Sequence, residues 1–119
     1  MTKKILYIIL IIGILMSICS CALLQKPINN QTGFSNYLKQ TEHNIRSGDW
    51  EKAKLSLKDS KKTWQRIKPL LQIDIDHDYV NSIEDDFVRM DGYIDTKEKA
   101  DSLAIILLVE NTWENIGSL

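Results

Sequence analysis

The chain has 119 residues and a net charge of −1, which excludes the strong basic excess typical of nucleic-acid binders. With 26% charged residues, 5 Gly and 2 Pro, the composition suits solvent-facing helices better than a turn-dense β fold. Both cysteines, Cys19 and Cys21, lie in the N-terminal segment, so the remaining domain, of roughly 85 residues, has no disulfide scaffold or cysteine-ligated metal.

Residues 1–24 begin with Lys3-Lys4 and then run without a charge from Ile5 to Leu24, with 14 nearly unbroken apolar residues in ILYIILIIGILMSI. A basic flank, an apolar run and then small residues predict a signal peptide or membrane anchor over residues 1–20. Ile18-Cys19-Ser20-Cys21 resembles the bacterial lipobox. By that resemblance Cys21 is the lipidation site and the mature N-terminus. The rivals are an uncleaved single-pass helix with Lys3 and Lys4 on the cytoplasmic side, and a freely secreted product. The first two readings put a tethered domain outside the cytoplasm. Without residues 1–20 it has 13 basic and 16 acidic residues, a net −3. Residues 21–33, polar and carrying Pro27 and Gly33, read as a tether.

The helical domain is expected over residues 34–119. Phe34, Leu38, Thr41 and Ile45 share one helix face. Ser47-Gly48-Asp49 closes that helix and opens the next, with Gly48 left-handed and Asp49 as N-cap. Trp50, Ala53, Leu57, Ser60, Trp64, Ile67 and Leu71 are then spaced 3, 4, 3, 4, 3, 4, the seam of a long amphipathic helix. Pro69 predicts a kink or an end near Lys68. A third helix over 78–94 buries Val80, Ile83, Phe87, Met90 and Ile94. Asp95 with Glu98 forms a capping box for a last helix over 97–116. That helix is apolar on several sides (Leu103, Ala104, Ile106, Leu107, Leu108, Val109) and should be the most enclosed. The predicted fold is therefore all-α. Two antiparallel helical hairpins form a small four-helix bundle or a hairpin stack, preceded by an N-terminal hydrophobic helix.

Sliding the chain by 49 residues aligns Phe34 with Ile83, Leu38 with Phe87, Ile45 with Ile94, Ser47 with Thr96, Leu57 with Ile106, Trp64 with Trp113 and Ile67 with Ile116. Since 49 is seven heptads, any two heptad stripes align this way. The matched turns and the Trp-x-x-Ile pair go beyond that and raise the possibility of two matching hairpins.

No pattern for nucleophilic catalysis, phosphate cradling or HExxH is present, so no catalytic residue, metal or cofactor is assigned and an enzyme is not expected. The acidic stretch around Asp74, Asp76, His77 and Asp78 invites a cation but lacks EF-hand register, and a solvated loop with helix-start acids explains it. Trp50, Trp64 and Trp113 are candidates for an aromatic binding face or for core packing, and His77 for a helix-start residue or a ligand. Charge is divided: residues 49–68 carry +4 and residues 74–98 carry −7. This predicts pairing of the second and third helices, with anionic lipid headgroups as the alternative target of the basic helix.

Gly48-Asp49-Trp50 with Ala53, then Trp64, Ile75-Asp76-His77, Ile83, Arg89, Tyr93-Ile94 and an apolar final helix make the chain similar, from Phe34 to Ile116, to domain-of-unknown-function family 4363. That family comprises small membrane-anchored helical proteins found largely in Firmicutes. Pro69 and the lipobox-like cysteine depart from its pattern. The resemblance implies a small anchored helical domain and brings no activity with it. The reading that follows is a non-enzymatic interaction module in the cell envelope. It is held to the membrane by its N-terminus and partnered by another envelope or membrane protein. A cation-binding lipoprotein using residues 74–78 is the alternative.

Overall fold

The computed structural model describes residues 2–18, 32–73 and 75–116, with the backbone alone for 15–18. Cys21, nearly all of the expected tether and Asp74 lie outside the described residues. The helices are α1 (Thr2–Ile18), α2 (Phe34–Arg46), α3 (Trp50–Leu71), α4 (His77–Asp95) and α5 (Lys99–Ile116). Among the described residues there is no β-strand, and no helix is long and apolar enough to cross a membrane.

Short connections make α2–α3 and α4–α5 antiparallel hairpins, and these pack together through α2 against α5 and α3 against α4. Each helix thus has two neighbours, and the ring closes into a four-helix bundle. The core contains the expected seams: Phe34, Leu38 and Ile45 from α2, then Ala53, Leu57, Trp64, Ile67 and Leu71 from α3. Val80, Ile83, Phe87, Met90 and Ile94 come from α4, and Ile105, Ile106, Val109, Trp113 and Ile116 from α5. Trp50, first on the predicted seam, is only half-buried at the bundle's rim.

The two hairpin turns have the same construction. Gly48 is left-handed at φ 69°, its N–H bonds to Ile45 O at 3.0 Å, and the Asp49 N–H reaches Asn44 O at 3.0 Å. Lys97 is left-handed at φ 57°, its N–H bonds to Ile94 O at 3.1 Å, and the Glu98 N–H reaches Tyr93 O at 2.8 Å. Both are Schellman closures, which satisfy helix-end carbonyls by reversing the last turn.

That closure corrects the capping-box expectation. Asp95 is the last residue of α4, and Glu98 holds the cap position of α5, its carbonyl accepting from Ser102 N–H at 3.0 Å. The side-chain pattern of a cap is present, but the left-handed turn at Lys97 moves the cap three residues on, from Asp95 to Glu98. At the first turn Asp49 does cap α3, accepting from the Lys52 N–H at 3.2 Å.

Two further expectations are refined by the structure. α3 continues past Lys68 to Leu71, with Pro69 inside it. Pro69 and Gln65 are both exposed, so the carbonyl that loses its donor faces water rather than the core. α5 has the largest buried share of the four bundle helices, seven of its 18 residues, yet it keeps an outward apolar side: Ala104 is exposed, Leu107 is 42% exposed and Leu108 50%. In a four-membered ring every helix keeps one outward side, however apolar its sequence.

Candidate functional site at the two seams between hairpins

Trp64 and Trp113 come together around Phe34, with ring centroids 5.7 Å and 4.8 Å from it, and Phe87 stands edge-on to the same ring at 6.5 Å. The indole N–H groups escape the core sideways. Trp64 Nε1 donates to Glu84 Oε1 at 3.3 Å and Trp113 Nε1 donates to Ser35 Oγ at 2.9 Å. Both polar tips are met without opening a cleft. Trp50 is remote from this cluster, at the far end of α3. His77 is the exposed first residue of α4, and Asp76 caps that helix by accepting from Asp78 N–H at 3.3 Å. Among the described residues no group of three or more His, Cys, Asp or Glu could hold a metal ion.

The α3–α4 seam is joined by lysines seven residues apart. Lys54 meets Asp95 at 3.1 Å, Lys61 meets Asp91, and Lys68 meets Glu84 at 2.5 Å. Seven residues is two helical turns, so the three ammonium groups form one strip along α3. Opposite charges do pair these helices, as the division of charge along the sequence predicts.

The α2–α5 seam differs. Glu110 sits on α5 between Ile106 and Trp113, on the core side, with its side chain 9% exposed. One oxygen, Oε2, accepts from Lys39 Nζ at 2.9 Å, while the buried Oε1 has no donor. Across the seam is Glu42, which accepts from Arg46 Nε at 2.9 Å and from Lys39 at 3.4 Å. Burial pushes the Glu110 carboxyl above its ordinary range, and the nearby Glu42 charge adds to this against the pull of Lys39. Burial acts on Glu42 as well, but the bonds from Arg46 and Lys39 outweigh it and leave that carboxyl below its ordinary range. The hydrogen bond to Glu110 raises Lys39. Lys39 Nζ thus bridges the two carboxyl groups, 2.9 Å from Glu110 and 3.4 Å from Glu42.

Neither the cluster nor its partners stood out in the sequence reading. The available signal was Glu110 itself, a lone acid spaced 4 and 3 from two core residues of an apolar helix. What it faces is decided on α2, 68 residues earlier.

The arrangement places a raised and a lowered carboxyl together at one seam, and the described residues gather no metal-ligand set. No curated protein and no solved structure matches the chain. The family described as Domain of unknown function (DUF4363) matches residues 23–119, which take in all four bundle helices. The chain belongs to that family.

Proposed function

We propose that the protein is a membrane-tethered, non-enzymatic interaction module displayed outside the cytoplasm. The observation that carries this reading is α1. Every large apolar side chain from Ile5 to Ile14 is more than half exposed, between 51% and 69%, directly after Lys3 and Lys4. A helix apolar all round finds its partner in lipid or in another protein, and the basic flank favours the membrane with the following chain on the far side. The lipobox-like Ile18-Cys19-Ser20-Cys21 that follows α1 supports acylation of Cys21 as the tether.

The bundle supplies a surface for a protein partner. Ala104, Leu107 and Leu108 lie exposed on α5, and such a stripe fits the apolar side of a helix from another envelope or membrane protein. Cation binding near residues 74–78 has less support, since Asp76 is engaged as a cap and, among the described residues, exposed His77 belongs to no group of three or more possible metal ligands. A photo-crosslinker at Leu108 in the full-length chain, in native membranes, tests the module. The expected product is a discrete adduct with a membrane or envelope protein, lost when Leu107→Asp is added. Absence of any adduct to a second protein refutes the reading.

A further inference from the structure

The strip formed by Lys54, Lys61 and Lys68 accounts for only part of the positive charge on α3. About 100° round the helix, Lys58, Lys62 and Arg66 follow one another four residues apart. All three are exposed and have no ion-pair partner among the described residues. Exposed Leu55 stands on the same outward strip, which also carries two exposed acids, Glu51 at its head and Asp59 at its edge. Beside it, between α2 and α3, runs an open groove of about 610 Å³ with Lys39 and Lys52 on its two walls.

The charge of the whole bundle is split in the same sense. Residues 34–71, the α2–α3 hairpin, carry 9 basic and 4 acidic side chains, a net +5. Residues 74–116 carry 12 acidic and 3 basic, a net −9. Packed as one body, the hairpins separate these charges across the bundle. A negative surface attracts one side and repels the other, which orients the molecule before any contact forms. The chain from α1 enters the bundle at Phe34, the start of the basic hairpin.

We propose that the outer face of the α2–α3 hairpin lies flat on anionic lipid headgroups, with Lys58, Lys62 and Arg66 as the contacting cations. This rests on the tethered reading of α1 and adds which face meets the membrane. The groove beside the strip is polar, but its Lys39 and Lys52 are held by Glu42, Glu110 and Asp49, and it also carries Asp59. The unpaired cations of the strip therefore make the contact, with Leu55 entering the interface beside them. Each such cation is worth roughly fivefold in surface partition, so three contribute on the order of a hundredfold.

The test uses the full-length chain in phosphatidylcholine vesicles with and without phosphatidylglycerol, reading acetylation of each lysine by mass spectrometry. In the anionic vesicles Lys58 and Lys62 are expected to react severalfold more slowly, while Lys97 and Lys99 on the acidic hairpin keep their rates. High salt restores reactivity, because it screens charges beyond a few ångströms. Lys58→Gln/Lys62→Gln/Arg66→Gln, all at exposed positions, is expected to keep the helical spectrum and return labelling of Lys52 to its rate in neutral vesicles. Equal rates in the two vesicle types, or equal slowing of Lys97 and Lys99, overturns the proposal. So does protection in neutral vesicles that grows with protein density, which identifies a second copy of the chain as the occupant. Flotation with neutral vesicles reports the tether separately. Should flotation fail, the tether reading falls, and the face is still decided by whether salt-sensitive flotation with anionic vesicles requires the three cations.

Discussion

Trp64 and Trp113 hold matching positions in the two hairpins, each donating its indole N–H to the other hairpin. They are 49 residues apart, and so are the residues that accept their indole N–H groups: Glu84 for Trp64 and Ser35 for Trp113. Each hairpin therefore places its tryptophan on the first turns of the other hairpin's leading helix, as a two-fold arrangement requires. The left-handed residues Gly48 and Lys97 obey the same offset. So do the buried pairs Phe34/Ile83, Leu57/Ile106 and Ile67/Ile116. Heptad coincidence explains the buried stripes but not the reciprocal hydrogen bonds or the identical turns. Equivalence is also broken in one informative place. Shifting Lys61 and Asp91 by the same offset gives Glu110 and Glu42, so the ion pair of one seam becomes the carboxyl pair of the other.

Because Trp64 is fully buried and Trp113 nearly so, at 0% and 3% exposed, truncation of either removes the centre of the core. Trp64→Ala and Trp113→Ala are each expected to lower unfolding free energy by about 3–5 kcal/mol. Trp50→Ala at the half-buried rim costs much less. Urea melts followed by circular dichroism check the ranking. Equal loss at all three positions contradicts the core assignment.

The two turns should respond oppositely to exchange of their left-handed residue. A Cβ at Gly48 meets nothing within 4 Å, so Gly48→Ala costs only the backbone preference, about 1–2 kcal/mol. Lys97→Gly relieves that strain at the equivalent position and is expected to stabilise by up to about 1 kcal/mol. Thermal melts of the two variants decide this. A destabilising Lys97→Gly means that its side chain contributes more than its backbone costs.

Acidification first favours the fold through Glu110 and then opposes it through Glu42. Glu110 in the bundle holds its proton above the ordinary value of 4.5, so its contribution to stability rises as pH falls through the raised value, and levels off near 4.5. Glu42 has the opposite shift. The stability it supplies is present above 4.5 and is lost as pH falls through its lowered value. Asp86, raised by burial against the partial offset of Arg89, acts in the same direction as Glu110. Glu110→Gln should abolish most of the gain between neutral pH and 4.5 and leave the loss below it. Melting temperature against pH for the two proteins, with an unchanged gain in Glu110→Gln, would discount this role for Glu110.

Two buried hydroxyls, Thr63 Oγ1 and Ser102 Oγ, have no hydrogen-bond partner among the described residues. The first hairpin supplies the natural replacement for Ser102, because the residue at its matching position is Ala53, also 0% exposed. Ser102→Ala and Thr63→Val are each expected to raise stability by roughly 1 kcal/mol, since burying an unpaired hydroxyl costs about 1–3 kcal/mol. Loss of stability in either variant would point to an ordered water bound at that hydroxyl.

The proposed tether is tested by the mass of the full-length gene product recovered from cells. A product beginning at an acylated Cys21 identifies the lipoprotein and leaves α1 behind as a removed signal. An intact N-terminus at Met1 or Thr2 makes α1 the anchor. In the first case Cys21→Ser is expected to leave the precursor uncleaved.

Much of the fold was legible because helix periodicity is a local property. The spacing of Phe34, Leu38 and Ile45, and of Val80, Ile83, Phe87 and Met90, names the buried faces without reference to anything distant. Turn chemistry was legible only where the residue advertises it. Gly48 signals a left-handed turn and Asp49 a cap, whereas Lys97 adopts the same conformation with no such mark, so Asp95 was read as a cap when it ends a helix. The sequence by itself determined the four amphipathic helices, the hairpin break at Gly48, the opposite charges of α3 and α4, and the apolar N-terminal run. Tertiary structure alone decided which lysines of α3 are used at the α4 seam, that α5 keeps Leu107 and Leu108 outward, and that Glu110 meets Glu42. Those outcomes depend on which helices become neighbours and at what height, and such long-range pairings have no period within the chain.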